Sequence, residues 1–301
     1  MGSKFSIRAI WNTARCEFIK LITNPRIIIV GIMLVFIKTL VIEPLVGRAE
    51  KYGEPLNILE PFIAVGNSGK LVMFMPCVFL ILISDFPIMG GNTLFFIKRT
   101  GKLNWFLGQI LSIIMSIFTY IAVIFTSCLI MGKGVWSNHW SNSITKYEAA
   151  FPQESGNFVS QLLPSNLYNQ IPIVTAAIQT IILLSMYFFL LSLILCMLKM
   201  LYLRTAGLFT VFLVIGCGVM TCSIKAPAMW IFPMANSIIW LHYKEILREP
   251  ITPVANSFVY FAVIITVIFI ANLVVLRRLQ FINTEQEGTC LLYTSPSPRD
   301  V

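Results

Sequence analysis

Six stretches of the chain are nearly unbroken apolar runs, and polar and charged residues return only between them. About 20 mostly apolar residues cross a hydrocarbon core of roughly 30 Å. By that measure the runs are 27–44, 71–87, 103–131, 173–198, 205–224 and 257–276. Lipid offers no partner to an unpaired backbone group, so helices are the expected form of each run. The pattern predicts an all-α polytopic membrane protein, with six transmembrane helices in one transmembrane domain over 1–288.

Three segments outside the runs have patterns of their own. From Phe5 to Ile22, the residues Ile7, Trp11, Ala14, Phe18 and Ile22 recur at steps of three or four, while Arg8, Asn12, Arg15 and Lys20 fall elsewhere. That spacing predicts an amphipathic helix lying in the membrane interface, its cations near anionic lipid; the plainer alternative is a solvated charged leader. Between runs two and three the chain reads DFPIMGGNTLFFIKRTGK. Asn92 suits a helix start, Lys98 and Arg99 suit its end, and Gly101 can close it. Leu94, Phe95, Phe96 and Ile97 are too apolar for a solvated turn, so this short helix needs a partner surface or the lipid headgroups. Between runs five and six, APAMWIFPMANSIIWL is uncharged but broken by Pro227 and Pro233. It reads either as a re-entrant or interfacial element or as a seventh span.

Charge decides the orientation expected. With the N-terminus inside, the inner segments hold twelve Lys and Arg against four acids, and the outer loops hold eight of each. Cytoplasmic flanks carry the excess of Lys and Arg, so six spans with both ends inside a bacterial cytoplasmic membrane is the reading, and the seventh span conflicts with it because it would put Arg277 and Arg278 outside. The net charge of +9 therefore points to lipid rather than to nucleic acid. Of the 301 residues 57% are hydrophobic and 12% charged, against about 25% charged in soluble domains. Five of seven cysteines (Cys77, Cys128, Cys196, Cys217, Cys222) sit inside apolar runs, which is neither a disulfide framework nor a zinc pattern. Lys38 interrupts the first run well inside its ends. It is a functional candidate by default, unless it snorkels outward toward Glu43.

Motifs for chemistry are absent. No G-x-x-x-x-G-K-[ST] occurs, and the Gly-Lys pairs at Gly69, Gly101 and Gly132 lack both the upstream glycine and the following hydroxyl. His242 and Glu245 do not form H-E-x-x-H, and no nucleophile–base pair is visible, so neither catalytic nor cofactor-binding nor metal-ligating residues are expected. Runs three to six contain no Asp, Glu, Lys, Arg or His, which leaves an ion-coupled carrier little to work with.

An amphipathic helix before span one, a short helix between spans two and three, six spans and an apolar hairpin before the last resemble the permease subunit of type-2 ABC exporters. SDFPIMGGNTLFFIKRTGKLNWFLGQI (84–110) is similar to the corresponding segment of bacterial permeases of that kind. The resemblance implies an export function, a separate ABC ATPase subunit, and a second permease as homo- or heterodimer partner. It implies that Leu94, Phe95, Phe96, Ile97, Lys98 and Arg99 form a coupling helix docking on that ATPase. The alternative is a secondary transporter or channel without an ATPase. Residues 290–300, CLLYTSPSPRD, match the translation of a sequencing-library adaptor, so 290–301 is expected to be an artefact that replaces the native end.

Overall fold

The computed structural model describes residues 5–87, 97, 99–154, 156–244 and 250–278. Among them the chain is helical, with five helices long and apolar enough to span a membrane and a sixth possible span made of a bent pair.

Helix α1 (Ile7–Ile22) begins where the Ser6 hydroxyl accepts the Ala9 N–H, satisfying one of the amides a helix start leaves over. It does not offer its whole apolar stripe to the protein. Thr13 and Ala14 are its buried residues, whereas Ile7, Trp11 and Ile22 are exposed. The approach is close because Gly108 has no side chain: a Cβ there would stand 2.7 Å from Thr13 Cβ. Any larger residue at 108 would push α1 off the bundle.

The first span runs further than its apolar pattern. Helix α2 (Ile27–Ile37) passes through a π-helical turn, Lys38–Ile42, into α3 (Glu43–Tyr52), giving one 26-residue helix. Pro44 was the expected end, since proline cannot donate to the preceding turn. The wider turn just before it absorbs the missing donor: Glu43 N–H bonds Lys38 O, five residues back, and the helix continues. Gly53, at φ 88, then closes α3 by donating to Ala49 O.

The second run, expected at 71–87, is not one straight span. Helix α4 (Glu60–Asn67) and helix α5 (Gly69–Leu82) meet at 80° across Ser68, whose backbone is extended. At 14 residues α5 is about 21 Å long, short of a hydrocarbon core by itself. It stops at Leu82, and residues 83–85 turn. The Arg26 guanidinium holds that turn through Ser84 Oγ at 2.7 Å and Asp85 Oδ2 at 2.6 Å.

The remaining spans match their apolar runs within a few residues: α6 (Lys102–Gly132), α7 (Ile173–Met200), α8 (Arg204–Ser223) and α9 (Val254–Arg278). Helix α7 is the most buried of the long helices and touches α4, α6, α8 and α9. Its Phe188 ring stacks on Phe79 of α5 at 5.4 Å and meets Tyr120 of α6 edge-on at 5.6 Å. Between helices in lipid, packing of this kind and close backbone approach supply the attraction that water supplies in soluble proteins. Helices α8 and α9 keep Phe209, Met220, Val263 and Val267 exposed, as lipid-facing surfaces require. The segment from Pro227 to His242 folds as three short turns, the longest of five residues, too short to cross a bilayer.

The loops gather at two ends. At one, Ser6 N–H bonds Asn104 Oδ1, Arg26 pairs with Asp85, and Lys199 Nζ donates to Ser84 O at 3.2 Å. At the other, Asn57 bonds Ser137, Arg48 bonds Ser160, and Asn166 bonds the carbonyls of Trp240 and Tyr243.

Candidate functional site

Of the segment singled out by the sequence, Leu94 to Arg99, the described residues Ile97 and Arg99 stand at the α1 end. Leu94, Phe95, Phe96 and Lys98 lie outside the described residues. Ile97 is buried at 8% exposure and Arg99 is exposed. Ile97 O accepts the Gly101 N–H at 2.8 Å, closing a helical turn just before α6. Gly101 takes φ 85, so the reversal needs a residue without a Cβ, as the sequence suggested. The entry to this segment is held by Arg26 and Lys199 through Ser84 and Asp85, so the first span and α7 fix where it leaves the bundle.

Lys38, the lysine that interrupts the first run, lies on the exposed side of the first span. Its Nζ stands 3.6 Å from Glu43 Oε1, with about half of each side chain exposed.

Two polar groups escaped the sequence reading, because the partners that bury them lie far away in sequence. Asn67, wholly buried at the α4–α5 break, donates to Ile63 O and Thr180 Oγ1, and its Oδ1 accepts the Ile239 N–H at 2.8 Å. Its backbone carbonyl accepts the Trp240 indole N–H at 2.9 Å. Asn67 thus joins the bent pair, α7 and the 227–242 segment. Glu60, at the start of α4 and also wholly buried, accepts from Asn57 N, Ser141 N and Ser141 Oγ. A buried carboxylate with three donors is a structural clamp, and it ties the loop after α6 to the bent pair.

His242, weighed in the sequence only as half of a weak metal pair, is a further buried polar group. Its Nδ1 lies 2.9 Å from Thr252 O and its Nε2 3.3 Å from Ser257 Oγ, while Ser257 donates to Asn236 Oδ1 at 2.8 Å. The carbonyl fixes the proton on Nδ1, and burial holds the imidazole pKa below its ordinary value, so the ring is neutral at pH 7. This Ser–His contact is sealed: both residues are 0% exposed and Trp230 packs over the imidazole at 4.8 Å. No substrate can reach it. Glu245, the other half of the weak metal pair, lies outside the described residues, and no cluster of three metal-ligating side chains occurs among the described ones.

No known protein family, curated protein or solved structure matches this chain. Its apolar helices fit a membrane-embedded protein.

Proposed function

We propose that the chain is the permease subunit of an ATP-driven exporter in a bacterial cytoplasmic membrane, paired with a second permease and driven by a separate ABC ATPase. The observation that supports this reading is where the described flanks of the segment between α5 and α6 stand. It leaves the bundle at the end that also carries α1, Arg26 and Lys199, the end whose Lys and Arg excess marks it as cytoplasmic. Its N-terminal flank is pinned to the first span and to α7 through Ser84, which gives a push on it a route to the spans. In the same reading α1 lies in the inner interface and 227–242 is a re-entrant element at the outer end.

Leu94, Phe95, Phe96 and Ile97 would then form a small docking patch in which one or two aromatics dominate. Lys98 and Arg99 contribute less, because rim charges are screened by salt. The test is co-purification in detergent of the tagged chain with the P-loop ATPase encoded beside it. Changing Phe95 and Phe96 together to Ala should release the ATPase while membrane insertion is unaffected. Equal recovery from both forms would show that this loop is not the docking element. No ATPase with the unaltered chain would favour a channel or secondary carrier.

A further inference from the structure

A cavity of about 90 Å³ opens beneath α1, between that helix, the turn after α5 and the first turns of α6. One water needs roughly 10–15 Å³, so this space holds a group of several heavy atoms. Most of its wall is apolar, but Glu17, Lys20, Asn24, Asp85, Gln109 and Ser112 also line it.

Two of these side chains are incompletely bonded. Gln109 is 1% exposed, yet neither its Oε1 nor its Nε2 makes a hydrogen bond among the described residues. Glu17 gives Oε1 to Lys20 at 3.2 Å, while its buried Oε2 has no partner. A buried amide left unpaired on both atoms is rare, and each such atom carries a desolvation penalty. The unmet demand is specific: two acceptor oxygens, one of them on a carboxylate, and one amide NH2 with two N–H donors. Lys20, half exposed at the same cavity, adds a cation.

We infer that this cavity binds a lipid headgroup bearing a primary ammonium next to a phosphate, as in phosphatidylethanolamine. The ammonium donates to Glu17 Oε2 and Gln109 Oε1, and the phosphate accepts from Gln109 Nε2 and the Lys20 ammonium. The exposed Ile7, Trp11 and Ile22 give α1 the apolar flank of an interfacial helix, so the cavity is within reach of headgroups. The inference does not rest on the exporter reading.

The test uses the purified full-length chain, depleted of lipid in a neutral detergent, with its thermal midpoint followed as ligands are added. Phosphatidylethanolamine should raise the midpoint. Phosphatidylcholine, which has no ammonium N–H, and phosphatidylglycerol, which has no ammonium, should not. Gln109→Leu should melt no lower than the unaltered chain without lipid, because it removes two unsatisfied atoms at constant bulk, and should lose the lipid-dependent rise. Glu17→Gln should weaken the lipid's apparent affinity about tenfold, as expected when a charge-assisted hydrogen bond becomes a neutral one. A rise that is the same for all three lipids, or that survives both substitutions, would overturn the inference. Absence of any rise would do so too, and would leave the cavity to water. Equal stabilisation by water-soluble phosphoethanolamine would overturn the lipid as the source and assign a soluble ligand.

Discussion

Lys38 and Glu43 are joined twice over the same five residues: Glu43 N–H bonds Lys38 O, and Lys38 Nζ reaches Glu43 Oε1 at 3.6 Å. In a regular α-helix positions i and i+5 stand about 140° apart around the axis. The wide turn is what allows these two side chains to meet. A backbone irregularity needed to pass Pro44 therefore also pairs the one lysine that an apolar run carries.

The pair should be measurable as a coupling. Lys38→Met and Glu43→Gln, singly and together, should give a double-mutant coupling of about 0.5–1 kcal/mol in detergent, the range of accessible pairs. Glu43→Gln should be the more harmful single change, since it leaves an ammonium beside lipid, and Lys38→Met should restore much of the loss. Strict additivity of the two changes in thermal unfolding would show that the contact carries no energy.

Asn67 should be the most sensitive polar residue at the break between α4 and α5. Asn67→Ala strands the Ile239 N–H in the core and removes the donor to Thr180 Oγ1, whose own hydroxyl keeps its bond to Ala176 O, which should cost about 2–4 kcal/mol. Thr180→Val should cost about 1 kcal/mol, because the side chain keeps its volume and loses one bond on each side. Gly66→Ala attacks the same junction by volume: its Cβ would stand 2.2 Å from Thr180 Cγ2. Unfolding of the three variants in detergent ranks them, and a harmless Asn67→Ala would mean that the bend is held by apolar packing alone.

The spans were legible because lipid imposes one composition on everything that crosses it, so length and apolarity suffice for α6, α7, α8 and α9. The departures all arise where tertiary partners override a local signal. Pro44 reads as a stop, and only the π turn shows otherwise. Glu60 counts as an ordinary loop acid until Ser141, 81 positions away, is brought to it. Gln109 is hidden inside an uncharged run of α6, where nothing nearby in sequence marks it as unpaired. The coupling residues were suggested by resemblance and by excess apolarity. Of these, Ile97 and Arg99 lie at the α1 end as their neighbours require, while the phenylalanines lie outside the described residues.

The loop after α6 carries an acid-sensitive contact. Glu154 accepts from Lys51 and from the Tyr147 hydroxyl at 2.6 Å, and these two hydrogen bonds, Lys51 first, hold its carboxyl below the usual carboxylate range. A carboxyl whose folded pKa is depressed adds stability that is present above its unfolded value, near 4.5, and is lost as pH falls through the folded one. Glu154→Gln should therefore melt lower than the unaltered chain above about pH 5, and the gap should close on further acidification. A gap that does not change from pH 7 to pH 3 would show that the substitution acts through something other than this charge.

The sharpest test of orientation uses the two ends of α6. Residues near Gly101 and near Asn142 flank this one 31-residue helix, about 46 Å long, so they cannot share a side of a bilayer whose hydrocarbon core is roughly 30 Å. Lys and Arg are concentrated in the segments at the Gly101 end, and positive flanks stay in the cytoplasm. Single cysteines at Gly101 and Asn142, in a chain freed of its own cysteines, should respond oppositely to a membrane-impermeant thiol reagent on intact cells. Cys16, exposed on α1, makes that background necessary. Gly101 needs its positive φ, so Arg99 is the safer inner position, being exposed and helical. The outer site should label on intact cells and the inner one only after permeabilisation. The reverse pattern would place α1 and the segment between α5 and α6 outside the cell, where no cytoplasmic ATPase could reach them, and would remove the exporter reading along with the orientation.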